Sequence, residues 1–169
     1  VSEDRPPTGV PDQKRLQNLK RIGRGKVKMN YPYFDETHED FRDVAKQFAE
    51  GVLADIAKEV DETEHFPEEV VAQMAEMGFF GIKIPEEYDG LGMDMRSYVC
   101  VMEELAKKCA TACLFVSSAN SLSTAPIVLS GTEEQKAKYL PPVVSGESYI
   151  AFALTEPNAG SDAASMKTK

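Results

Sequence analysis

Apolar residues recur at steps of three and four through the first half of the chain. Phe41, Val44, Ala45, Phe48, Ala49, Val52, Leu53, Ile56, Ala57 and Val60 share one face of an amphipathic helix of about five or six turns. Thr37 is its candidate N-cap, and Glu39 and Asp40 fall in the first turn, where the helix dipole favours anions. Gly51 lies beside the stripe, where a small residue permits close packing. A second helix is predicted from Pro67, a residue suited to the first helical position, with Val70, Val71, Met74, Ala75 and Met77 on its apolar face. Gly78 sits where a left-handed residue ends such a helix. Between Gly81 and Gly92 the glycines and Pro85 exclude a long helix and predict a crossing loop, a place where function often resides.

Asp94 caps a third helix whose stripe is Tyr98, Val99, Met102, Leu105, Ala106 and Cys109. A fourth, Ala110 to Leu129, is apolar almost all round and so belongs in the middle of a bundle. Its hydroxyl side chains can bond the carbonyls of the preceding turn, and Pro126 kinks it or marks its last turns. Thr132-Glu133-Glu134-Gln135 spells a capping box for a fifth helix reaching about Val144, with Pro141 and Pro142 bending or ending it early. After Gly146 the pattern changes. Tyr149 to Thr155 is β-compatible, and Pro157 to Asp162 is turn-forming. A lone strand is unstable without partners, so a β-domain is expected to begin here with most of it missing. The chain thus divides into a basic extension at 1–34, a helical domain at 35–146 and the truncated start of a β-domain at 147–169. A first residue of Val rather than Met fits a processed or incomplete chain.

Composition changes this picture only at its edges. With 42% apolar and 28% charged residues among 169, the chain is ordinary for a globular domain with a real core. No run of about 18 uninterrupted apolar residues occurs, so no membrane span is expected. The net charge of -9 is uneven: residues 1–28 hold eight Lys/Arg against three acids, and the remainder holds 11 basic against 25 acidic residues. An acidic body excludes a nucleic-acid surface, and the basic head reads as an arm rather than a secretory signal. Cys100, Cys109 and Cys113 are an odd set that points to free thiols in a reducing compartment. With only His38 and His65 as further soft ligands, no metal site is expected.

The chemistry concentrates in Ala153-Leu154-Thr155-Glu156-Pro157-Asn158-Ala159-Gly160-Ser161-Asp162-Ala163-Ala164-Ser165. A glycine admits a ligand close to the backbone, while the Thr155 and Ser161 hydroxyls and turn N–H groups can donate to an anion or cofactor. The same residues also suit a polar turn without a ligand, and the residues alone leave the two readings even. This segment resembles, position by position, the flavin-site signature of the acyl-CoA dehydrogenase family. Ile84-Pro85-Glu86-Glu87-Tyr88-Asp89-Gly90-Leu91-Gly92 resembles the family's interhelical loop, with Asp89 where Gly is commoner. Gly131 to Lys136 and Tyr139-Leu140-Pro141 are similar to it as well, so the resemblance spans roughly residues 35–169.

The resemblance implies a mainly α fold: the N-terminal helical bundle of that family, followed by the first strand of a β-barrel-like domain and, beyond this chain, a C-terminal four-helix bundle. It also implies a homotetramer that binds FAD, acts on an acyl-CoA and passes electrons to an electron-transfer flavoprotein. Phe152, Leu154 and Thr155 would line the flavin ring. Gly160 and Ser161 would sit by the pyrophosphate, Ser161 also touching the CoA part of the substrate. Residues Ser118 to Ser123 would help line the acyl pocket. The implied reaction removes an α-proton to a carboxylate base while a β-hydride passes to flavin. That glutamate would lie beyond Lys169, so the chain alone is expected to be inactive, and Glu156 and Asp162 would hold the turn. The resemblance leans toward short-chain, butyryl-CoA types. An enoyl-CoA reductase running the reaction backwards, an oxygen-using oxidase or monooxygenase of the same fold, and a non-catalytic helical interaction module are the alternatives. The compartment expected for the family is a bacterial cytoplasm, or a mitochondrial matrix in a eukaryote.

Overall fold

A computed structural model describes residues 33–168. The basic head, and with it most of the extension placed at 1–34, lies outside the described residues. The first helix, α1 (Glu36–Phe48), begins two residues earlier than its spacing suggested. Its N-cap is Asp35 rather than Thr37: the Asp35 carboxylate accepts the His38 N–H at 3.2 Å, and the Asp35 N–H donates to His38 Nδ1 at 3.0 Å. A histidine thus takes the place usually held by Glu or Gln in a capping box. The helix runs through a π-type turn at Ala49–Leu53 into α2 (Ala54–Thr63). Gly51 falls in that turn, and a Cβ there would meet nothing within 4 Å. It therefore serves the wider turn and not close packing.

Pro67 is the N-cap of α3 (Glu68–Glu76), its backbone still extended, rather than the first helical residue. Gly78 ends the helix at φ +78, as its position suggested, with Phe79 N–H bonding Met74 O and Gly78 N–H bonding Ala75 O. The crossing loop then folds on itself. Leu91 N–H reaches Gly81 O at 2.7 Å, Met93 N–H reaches Ile82 O at 2.7 Å and Gly92 N–H reaches Ile84 O at 2.9 Å. A Cβ on Gly90 would stand 1.9 Å from Ile84 O, so no other residue fits there. Asp89 takes φ +65, a left-handed conformation that aspartate tolerates better than most residues.

Helix α4 (Met95–Ala106) lies against α1 along much of its length. Val44, Phe48, Leu53, Met74, Phe79, Phe80, Val101 and Leu105 form the core between α1, α3 and α4, with Phe48 and Phe79 edge-to-face at 5.5 Å. A polar tie crosses this interface. Arg42, 5% exposed, donates to Glu103 at 2.5 Å, to Glu104 at 3.3 Å and to the Cys100 sulfur at 3.2 Å. Burial opposes its charge, but Glu103, Cys100 and Glu104 hold the guanidinium protonated far above its ordinary range.

Helix α5 (Ala110–Ser117), a π-type turn at Ser118–Leu122 and α6 (Ala125–Ser130) follow one another without a loop. Pro126 stands in the first turn of α6, where its missing N–H costs nothing. This stretch was expected in the middle of a bundle, yet only a third of it is buried. Ala112, Val116, Ala119, Asn120, Ser123 and Thr124 face inward, whereas Leu114 is 68% and Leu129 81% exposed. The hydroxyls do bond preceding carbonyls: Ser121 to Ser117 O at 2.8 Å and Thr124 to Ala119 O at 2.6 Å. By length and composition alone Ala110–Ser130 could cross a membrane, unlike the absence of a span expected from uninterrupted runs. Its inward face is polar, however. Asn120 donates to Phe79 O and Val116 O and accepts the Lys83 N–H.

The capping box of α7 (Glu133–Val144) is present, Thr132 and Gln135 exchanging hydrogen bonds. The helix does not stop at Pro141 and Pro142. An interior proline costs roughly 3 kcal/mol, but each fully buried aliphatic side chain returns about 1.5–3 kcal/mol. Leu140, Val143 and Val144 are all buried beyond or beside the prolines, with Leu140 and Val144 against Ile84 and Tyr88. The Tyr88 hydroxyl donates to Glu133 at 2.5 Å and so ties the crossing loop to the start of α7. Among the described residues no strand forms after Gly146; the extended segment has no ladder partner.

Candidate functional site

From Ser148 the chain runs extended along α5. Ser148 N–H bonds Pro142 O at 3.0 Å, the Ser118 hydroxyl donates to Ile150 O at 3.1 Å, and the Tyr149 ring meets Phe115 at 5.8 Å. The path then leaves the helices and turns. Glu156 and Ala159 exchange backbone hydrogen bonds at 2.9 and 3.2 Å, and Ala159 is buried. The Glu156 carboxylate accepts the N–H groups of Lys167 at 2.9 Å and Thr168 at 3.0 Å. The Ser165 hydroxyl donates to the Asp162 carboxylate, and the Ser165 N–H to Asp162 O. The Thr168 side chain first, then the Lys167 and Thr168 backbone N–H groups, push the Glu156 carboxyl below its usual range. A carboxylate held in this way is a weak base and a good brace.

Phe152, Leu154, Thr155, Gly160 and Ser161 all lie exposed on this edge. Phe152 and Leu154 are 47% and 41% exposed, high for large apolar residues. A Cβ at Gly160 would meet nothing within 4 Å, so the backbone there stands open. Among the described residues the Thr155 and Ser161 hydroxyls have no hydrogen-bond partner. An apolar extended pair, two unengaged hydroxyls and an open glycine turn suit a flat ring with a polar edge and an anionic tail, and thus fit a flavin dinucleotide.

Beside this edge lies a recess of about 310 Å³, lined among others by Phe80, Leu114, Phe115, Ser118, Tyr149 and Ile150. Of the stretch Ser118 to Ser123 named from the sequence, Ser118 and Ala119 line it, while Asn120 and Ser123 turn into the domain. The aromatic residues of the recess carried no sequence signal, since they come from three separate segments. The thiols form no disulfide; burial pushes Cys100 and Cys113 up, away from reactivity. No group of three or more His, Cys, Asp or Glu that could hold a metal ion occurs among the described residues.

These features meet known proteins over most of the chain. The family model for the acyl-CoA dehydrogenase N-terminal domain matches residues 35–147. A 3-(aryl)acrylate reductase of Clostridium sporogenes is 52% identical over 136 residues, which is 80% of this chain and 36% of that protein. The CarC subunit of the caffeyl-CoA reductase-Etf complex of Acetobacterium woodii is 50% identical over 137 residues, again 80% of this chain and 36% of that protein. Among solved structures, butyryl-CoA dehydrogenase of Megasphaera elsdenii superposes with a TM-score of 0.72 at 36% identity, covering 84% of this chain and 37% of that one. An acyl-CoA dehydrogenase of Bacillus anthracis complexed with FAD superposes with a TM-score of 0.74 at 28% identity, covering 85% and 25%. The chain therefore spans about a third of the length of the curated relatives it matches. With the family model matching residues 35–147 and a relative 52% identical over 80% of this chain, the chain belongs to the acyl-CoA dehydrogenase family.

Proposed function

We propose that the whole protein carrying this chain is a FAD-dependent enzyme interconverting an acyl-CoA thioester and its α,β-unsaturated form. The observation that carries this reading is the braced edge Phe152–Ser161, which presents apolar side chains and free hydroxyls outward. Bound FAD supplies the acceptor, or in reverse the donor, of a hydride at the β-carbon. In this reading Phe152 and Leu154 keep water from one side of the ring. The Thr155 hydroxyl donates to its polar edge, and Gly160 and Ser161 receive the pyrophosphate. Glu156 and Asp162 hold the turn, and the carboxylate that exchanges the α-proton is supplied outside residues 1–169. An electron-transfer flavoprotein is the redox partner, and the assembly is a homotetramer.

One observation favours the reductive direction: the two curated relatives above are both named reductases. The test is spectroscopic. The purified whole protein should carry flavin colour that butyryl-CoA or its unsaturated counterpart changes under anaerobic conditions, with turnover in the presence of an artificial electron carrier. A protein that stays colourless after incubation with FAD and turns over no acyl-CoA in either direction overturns the reading.

A further inference from the structure

The recess beside the signature edge constrains what sits there. Its volume of about 310 Å³ lies at the lower end of ligand pockets, large enough for the small end of a substrate and too small for a dinucleotide. Its position is fixed by chain continuity. Tyr149, Ile150 and Ala151 line it, and the next residue, Phe152, opens the edge to which the proposed function assigns the cofactor. A thioester reacting at that edge has its acyl end within reach of the recess.

The lining then selects a shape. Phe80, Phe115 and Tyr149 contribute three aromatic side chains, and Phe66 backs Phe115 with ring centroids 5.0 Å apart. Phe115 and Tyr149 meet at an interplanar angle of 72°. These rings have few rotamers, and Phe80 is fully buried and cannot move aside. Phe115 and Tyr149 pack edge-to-face on one another, and with Phe80 they line the recess with aromatic surface that offers edge-to-face and offset contacts to another ring, contacts a linear acyl chain does not make. Of the hydroxyls that line it, Ser118 is spent on Ile150 O and on Ser123 at 2.8 Å, so it does not call for a polar group.

We infer that the substrate is a 3-aryl-substituted acyl-CoA, whose ring occupies this recess, and that Phe115 and Tyr149 are specificity-determining residues. The inference rests on the proposed flavin chemistry and deepens it. Neither residue touches the reacting atoms. Their removal should therefore change which thioester is preferred, beyond any general loss of rate.

The experiment uses the whole flavoprotein with two matched probe pairs: 3-phenylacryloyl-CoA and crotonyl-CoA with a reduced viologen dye, and the saturated counterparts with ferrocenium. The wild type should favour the phenyl probe in kcat/KM. Phe115→Leu and Tyr149→Leu should each lower the ratio of phenyl to short-chain kcat/KM by about ten-fold, the equivalent of about 1.4 kcal/mol. Flavin content, read from the visible spectrum, reports whether each variant is folded; if one fails to fold, Phe115→Met or Tyr149→Met serves, removing the ring at similar bulk, with the same lowered ratio expected. A wild-type preference for crotonyl-CoA and butyryl-CoA overturns the aryl assignment and leaves the proposed function standing. An unchanged ratio in folded Leu variants overturns the role of the two residues. No turnover with either pair overturns the proposed function itself.

Discussion

At neutral pH the Asp94 carboxylate accepts the Ser97 backbone N–H at 2.9 Å and Arg96 at 2.7 Å, while His38 reaches it from α1 through Nε2 at 3.1 Å. His38 Nδ1 faces Asp35 and its Nε2 faces Asp94, so the ring bridges the two carboxylates. One aspartate thus caps α4 and joins the starts of two helices. The Ser97 N–H, then Arg96 and His38, hold its carboxyl well below the usual range. A folded-state pKa below the unfolded one means that the stabilisation is complete above the ordinary value of 3.8 and is lost as pH falls beneath it. Asp94→Ala is expected to cost about 1 kcal/mol at pH 7, the usual worth of an N-cap. The gap from wild type should narrow below pH 3.8, measured by urea unfolding of the whole protein at pH 7 and at pH 3. A gap that stays constant between those pH values contradicts this account.

At the scale of elements, the long apolar helix depends on one polar residue. Asn120 sits in the π-type turn after α5, with its amide donating to two carbonyls and its oxygen accepting the Lys83 N–H at 3.0 Å. Asn120→Ala strands the Phe79 carbonyl and the Lys83 N–H inside the domain and should cost about 2–3 kcal/mol, since each unsatisfied buried group is worth about 1–3 kcal/mol. Asn120→Asp should be at least as damaging, because it sets an oxygen against two carbonyls; thermal unfolding of both variants decides the order. Elements marked by local chemistry were legible in the sequence. The Thr132 capping box and the left-handed Gly78 need only their neighbours in the chain. Pro141 and Pro142 misled because burial of Val143 and Val144, which local pattern cannot weigh, outlasts the lost donors. The requirement for glycine at position 90 is likewise invisible locally, since the atom it must avoid, Ile84 O, is brought there by the fold.

At the scale of the molecule, the described domain leaves Leu114, Leu122, Leu129, Phe152 and Leu154 uncovered, and the curated relatives are about three times as long as their shared region. The isolated 169-residue chain is therefore expected to bind FAD without a stoichiometric complex, whereas the whole protein retains it; equilibrium dialysis of both checks this, and a tight complex with residues 1–169 contradicts it. The segment proposed to meet the cofactor stood out because it is one continuous run of residues. The recess did not, because Phe80, Phe115 and Tyr149 converge only once the turn after α3, α5 and the extended segment are packed. The clasp of Glu156 on Lys167 closes a loop of residues eleven apart in sequence. Bringing two such ends together in a free chain has an entropic cost on the order of 2 kcal/mol. Folding meets that cost before any ligand arrives, so a cofactor bound as proposed would find a preorganised rim and keep its contact energy as affinity.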